Sequence, residues 1–383
     1  LLSTASVAIE FNDPLTVTAA TDGVFHHLES SGRRGMAIAD GTVAITWEDN
    51  SSGTPRIYVA FKDAKTNRFS KPLQVSDTGP AYEPVIAALG AQFVIGWEAE
   101  ERLWLRSVRA DKLDETVMLS EKPARHLSLN QSAGQDVVAV WGEQHGRHFQ
   151  IAHGRIALAN NKLRVQQAGL VDASNDKTEQ LYPAVAVTRL GMVVGWEDRR
   201  QGATRIFTAF APAGKAFAAY QVLNEFVPSP RPDLGSGTGA MRIVLTSDLD
   251  KHVTAVWLDK RNFEGGYDVY AAYSSDGGRR FGRNERVYDL LGENTPQWHA
   301  TVAMNGHGDI VAAWDDTRDG SPDVWYSQRR DSVWSDDEVW PGGSGPGAQT
   351  LPVLLLQGKE LHAAWLVRDG LSSAIQYIRA SMP

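Results

Sequence analysis

The chain carries a phrase of four or five apolar residues ending in Trp, and that phrase recurs seven times. The copies are Val43 to Trp47, Phe93 to Trp97, Val137 to Trp141, Met192 to Trp196, Val253 to Trp257, Ile310 to Trp314 and Leu361 to Trp365, spaced 44 to 61 residues apart. Each is preceded by a second apolar run across a polar turn. Met36-Ala37-Ile38-Ala39, then Asp40-Gly41-Thr42, then Val43 is the first example, and it reads as a hairpin. After each Trp come a polar loop and an aromatic-rich run, as in Ile57-Tyr58-Val59-Ala60, Ile206-Phe207-Thr208-Ala209, Val269-Tyr270-Ala271-Ala272 and Val324-Trp325-Tyr326-Ser327. Most repeats add a fourth short run, such as Leu73-Gln74-Val75-Ser76, Val117-Met118-Leu119-Ser120 or Arg286-Val287-Tyr288.

Four strands per unit of about 50 residues is the signature of a propeller blade. The pattern therefore predicts an all-β, seven-bladed β-propeller of four-stranded antiparallel blades. No segment sustains apolar residues at helical spacing with caps. A single domain over 1–383 is expected, with blades at roughly 33–77, 82–121, 125–172, 181–224, 240–289, 298–342 and 350–383. The seventh repeat stops after its third strand, Ala374 to Ile378. Pro14-Leu15-Thr16-Val17-Thr18 resembles the fourth-strand phrase Pro72-Leu73-Gln74-Val75-Ser76, so residues 1–19 are expected to join the last blade and close the ring. Trp97-Glu98-Ala99 and Trp141-Gly142-Glu143 depart from the loop pattern of the other repeats. Irregular packing there would leave six blades and an insert, but each repeat has its own inner strand pair and its own Trp, which favours seven.

Composition fits this picture. The 383 residues are 42% hydrophobic and 22% charged, with Gly 35, Pro 17 and Trp 12, as many tight turns between stacked sheets require. A net charge of −8 lacks the basic footprint of nucleic-acid binding. No run of eighteen apolar residues suggests a transmembrane segment. Leu1-Leu2-Ser3 has neither an initiator Met nor the build of a signal peptide, so the sequence reads as a mature form of a secreted, periplasmic or cell-surface protein. With no cysteine, disulfides and thiolate chemistry are excluded.

Ser274-Ser275-Asp276-Gly277-Gly278-Arg279-Arg280-Phe281 fits the Asp-box pattern Ser-x-Asp-x-Gly-x-x-aromatic. Here the chain resembles the sialidase-like, bacterial-neuraminidase-repeat superfamily. The resemblance implies a propeller with the Asp-box on the face opposite the active site; in that family three Arg clamp a substrate carboxylate, a Tyr activated by Glu is the nucleophile and an Asp is the acid/base. The family's Arg-Ile-Pro signature is met only by the Arg of Arg33-Arg34-Gly35. A second recurring phrase is Trp196-Glu197-Asp198-Arg199-Arg200, Trp257-Leu258-Asp259-Lys260-Arg261 and Trp314-Asp315-Asp316-Thr317-Arg318. Its repetition blade after blade points to turn caps and interblade ion pairs rather than to a calcium or substrate site.

Function on a repeated scaffold is sought where the blades differ. Aligning the starts of the innermost strands gives ligand-binding candidates Arg33, Arg34, Tyr82, Glu83, Arg125, His126, Tyr182, Arg242, Trp298 and His299. Arg, Tyr and Trp together suit a carboxylate-bearing or polyhydroxylated ligand. Gln144-His145-Gly146-Arg147-His148 offers a second chemistry: propeller polysaccharide lyases use His and Tyr in this region, and Arg125, His126 and Tyr182 would suit proton abstraction from a uronate. No third ligand accompanies His145 and His148, so neither a metal nor a cofactor is expected. The expected activity is binding of a glycan or a protein partner through the channel face, with no catalytic set demonstrated in the sequence. The alternatives are a sialidase-like glycoside hydrolase or a polysaccharide lyase acting on an acidic sugar, and a structural subunit of a larger surface assembly.

Overall fold

The structure is a computed structural model, and it describes residues 9–28, 34–77, 79–109, 112–132, 134, 136–160, 162–174, 177–225, 239–261, 266–289 and 295–383. Every regular element in it is a β-strand, and no helix is long and apolar enough to cross a membrane. The strands form seven antiparallel sheets, blades I to VII in chain order. Blade I is built on Met36–Ala39, Thr42–Asp49, Arg56–Lys62 and Leu73–Gln74. The turn between its first two strands holds Asp40 and Gly41 at φ 46° and 72°, the left-handed pair that a two-residue hairpin needs.

The second strand of each blade carries the repeated Trp. These strands are buried on both faces because each sheet is covered by a neighbour on either side, which is why they read as unbroken apolar runs. All seven indoles are at most 2% exposed. The apolar residues sort into seven clusters, and each cluster fills one interface between consecutive blades. The interface between blades VII and I is of the same kind, with Leu351, Val353 and Tyr377 packed against Met36, Ile45 and Trp47.

The N-terminal segment closes that circle. Glu10 and Phe11 pair with Ser381 and Ala380, and Leu15 and Thr16 pair with Tyr377 and Gln376 on the third strand of blade VII, Ser372–Ser381. The fourth strands are mostly reduced to two residues. Blade III is the exception: its outer strand Lys162–Leu170 runs along most of His148–Ala159.

The innermost strands surround a central channel. We call the end where they start the front face and the end where they turn into the second strands the rear face. The Ser274–Phe281 turn lies against Thr188, Leu190 and Val193, the rear hairpin of blade IV. Its Ser274 hydroxyl donates to Asp276 Oδ1, the Arg280 amide donates to the same oxygen, and Gly277 and Gly278 adopt φ of 82° and 94°.

Candidate functional site

The front face is organised by one repeated backbone feature. Glu83, His126, Tyr182, Arg242, His299 and Leu351 occupy the same position in blades II to VII, three residues before the residue that pairs with the one two positions ahead of the Trp. All six have left-handed φ, between 48° and 58°, and each sits in a break of the strand register. Each is a β-bulge, which bends the strand and re-aims its side chain. The bulge costs about 1 kcal/mol for a residue with a Cβ, and something must hold it there. Arg33 is the corresponding position of blade I and lies outside the described residues.

A carboxylate does the holding. The residue after the Trp is Glu48, Glu98, Glu197 or Asp315 in blades I, II, IV and VI. Each accepts a hydrogen bond from the bulge amide of the next blade. Glu83 N donates to Glu48 Oε2 at 3.2 Å, His126 N to Glu98 Oε1 at 2.6 Å, Arg242 N to Glu197 Oε1 at 2.8 Å and Leu351 N to Asp315 Oδ1 at 3.0 Å. Blade III has Gly142 after its Trp, and there the Tyr182 amide approaches His126 Nδ1 at 3.4 Å instead. Burial raises the affinity of Glu197 and Asp315 for a proton. The Arg242 amide works against that shift at Glu197, and His299, bonded through Nδ1 at 2.7 Å, works against it at Asp315.

Two rings and a guanidinium meet. The His126 and Tyr182 rings stack with centroids 4.0 Å apart and planes 19° from parallel, and the Arg242 guanidinium carbon lies 3.6 Å from the Tyr182 centroid on blade V. The Tyr182 phenol is thus held between an imidazole and a cation from its two neighbouring blades. Among the described residues the Tyr182 hydroxyl has no hydrogen bond and the Arg242 guanidinium no ion pair. Beyond Glu197 the surface continues into Tyr267, whose hydroxyl is harder to ionise because it is partly buried and faces the Glu197 charge. Tyr267 packs against Trp298 at 5.5 Å, with the Lys260 ammonium 5.9 Å from its ring. Trp298 and Tyr82 are exposed, at 39% and 42%.

The other aligned candidates go elsewhere. The Arg125 guanidinium lies over Phe149 at 3.9 Å and is paired with Glu179 at 3.1 Å. His148 is 3.8 Å from that same Glu179, whereas His145 bonds Glu143 Oε1 at 2.9 Å beside Lys122. Both histidines of the His145 loop thus face carboxylates. Arg34 runs into the channel. Sequence reasoning missed Glu197 and Tyr267. Tyr267 ends the loop after Trp257, at a position where the other blades carry no Tyr, but a carboxylate directly after a buried Trp was a visible break in an apolar strand. No group of three or more His, Asp or Glu that could hold a metal ion is present among the described residues.

The Trp-x-Asp-x-Arg phrase is structural. Asp198, Asp259 and Asp316 accept the indole N–H of Trp196, Trp257 and Trp314 at 3.4, 2.9 and 3.1 Å, and each also caps the amide of the Arg two residues on. The Arg side chains return to the same carboxylates, and Arg200 and Arg318 also reach Asp172 and Asp337 at 2.8 and 2.7 Å. These groups are engaged chiefly by each other, as turn caps and ion pairs.

No protein-family profile matches the chain, and no curated protein matches it. Solved structures do. The polysaccharide lyase Uly1 superposes with a TM-score of 0.64 at 8% identity over 98% of this chain and 100% of its own. The α-L-arabinofuranosidase Arb93A from Fusarium graminearum gives 0.51 at 11% identity over 96% and 98%. A Trypanosoma rangeli sialidase gives 0.50 at 10% identity over 97% of this chain and 59% of its own. The chain shares the propeller fold of sialidases and of these other glycan-acting enzymes.

Proposed function

We propose that this is an extracytoplasmic protein that binds an acidic polysaccharide on its front face, at the stack of His126, Tyr182 and Arg242. The observation that carries the reading is Arg242. One face of its guanidinium covers Tyr182, its amide is latched to Glu197, and no side chain pairs with its N–H fork among the described residues. A planar fork fixed in this way suits bidentate pairing with a sugar carboxylate. Trp298 and Tyr82, exposed elsewhere on the same rim, are platforms on which neighbouring sugar rings can lie.

A second reading, β-elimination, is favoured by the Tyr182 hydroxyl next to an imidazole and a cation. Arg242 would hold the uronate carboxylate and stabilise the charge that develops when the C5 proton leaves. Of His126 and Tyr182, one would take that proton and the other would return a proton to the departing C4 oxygen as the C4–O bond breaks and the C4–C5 double bond forms. The likeness to a lyase and to glycosidases is one of fold and supports a glycan ligand only in that sense.

The test is calorimetric titration with polyuronates and sialosides, run beside ultraviolet detection of unsaturated products. Arg242→Ala is expected to weaken binding at least about tenfold, the loss of one charge-assisted pair. Unsaturated product from wild type but not from Tyr182→Phe establishes the lyase. Binding without product establishes a recognition module. No binding of any acidic glycan overturns the proposal and directs attention to a protein partner.

A further inference from the structure

The residue after each front-ring position is apolar and buried in blades II to VII: Pro84, Leu127, Pro183, Ile243, Ala300 and Pro352. The same register puts Arg34 there in blade I, since Met36 pairs with Ile45 as Ile86 pairs with Ile95, each two residues before its Trp. Arg34 lines a cavity of about 280 Å³ that extends down the channel to rear-face residues including Gln131, Asn305 and Gln357. It also lines a water-sized void of about 10 Å³ beside Ser128 and Thr301, between that cavity and the front face. A front-face residue that borders both spaces has its side chain directed along the channel.

Among the described residues nothing answers this charge. Arg34 forms no hydrogen bond or ion pair through its side chain among the described residues. The acidic residue bordering the cavity, Asp248, is engaged by the amides of Asp250, Lys251 and His252 and by His252 Nδ1 at 2.6 Å. Burial opposes the charged guanidinium, yet a guanidinium stays protonated in proteins. A half-buried cation with no counter-charge among the described residues is costly.

We propose that the channel holds a small anion, a carboxylate or inorganic oxyanion admitted from the rear face, with Arg34 as its ligand. The cavity has room for a small organic acid together with water. This site is separate from the front-face stack and does not rest on the glycan reading.

The test replaces Arg34 with Leu, the kind of side chain the other blades carry, and with Lys. Thermal midpoints are measured at constant ionic strength with increasing acetate or phosphate in place of a bulky sulfonate. Wild type is expected to gain several degrees, saturably, as a ligand that binds only the folded state requires. Arg34→Lys is expected to respond at higher concentration. Arg34→Leu is expected to melt above wild type in the sulfonate and to ignore the other anions. Arg242→Ala is expected to keep the wild-type response. An equal response in Arg34→Leu and wild type, or none in wild type, overturns the proposal. If Arg34→Leu does not fold, Arg34→Lys decides, because an unchanged midpoint against concentration overturns it too.

Discussion

The indole N–H of a fully buried Trp needs an acceptor. In blades I and III to VI the acid two residues on supplies one. Blades II and VII have Ala99 and Val367 at that position, and Trp365 Nε1 has no acceptor among the described residues. This unit was legible in the sequence because its parts lie within five residues of each other. Asp259 shows what it contributes: it serves the Trp257 indole, the Arg261 amide and the Arg261 guanidinium together. Asp259→Ala is expected to cost about 3 kcal/mol in chemical denaturation, because it leaves an indole N–H unanswered and takes the closest carboxylate from a buried cation whose remaining partners are Asn284 and Glu225. A loss below about 1 kcal/mol would mean that the Asp is only a turn cap.

At the scale of the strand, aligning the repeats found where the innermost strands begin but gave no sign that the chain turns left-handed there. Left-handed conformation is normally announced by Gly or Asn, and here Glu, His, Tyr, Arg, His and Leu adopt it. The stabilising partner belongs to the preceding blade, some 28 to 45 residues away. Local propensity cannot report such a contact. One signal was available: Pro84, Pro183 and Pro352 follow bulge residues, and a Pro inside a strand marks a bulge. The strain can be measured by comparing two variants at His299, each of which removes the same contact to Asp315. His299→Gly is expected to be more stable than His299→Val by about 2 kcal/mol, since a β-branched residue resists positive φ. Equal stabilities would show that the strand relaxes to ordinary geometry when its side chain changes.

For the whole molecule, the Trp repeat sufficed to specify the ring, because its apolar strands have no other way to bury both faces. Closure is the global element. Residues 9–18 hydrogen-bond to the third strand of blade VII and bury Ile9 and Val17 beside it. Deleting residues 1–19 removes roughly 5 kcal/mol of apolar burial and bares a sheet edge. Insoluble expression, or a thermal midpoint lower by about 10 °C, is the expected outcome; a truncated protein melting with the full chain would mean that the N-terminal strands are dispensable. The front ring has a different kind of economy. In blades II, III, V and VII the bulge residue is gripped by its main-chain amide, so the scaffold asks nothing of the side chain there beyond tolerance of the bend. Those positions are fixed addresses with exchangeable contents. A lineage, or a designer with a combinatorial library, can rewrite what this surface recognises one blade at a time while the ring beneath it stays assembled.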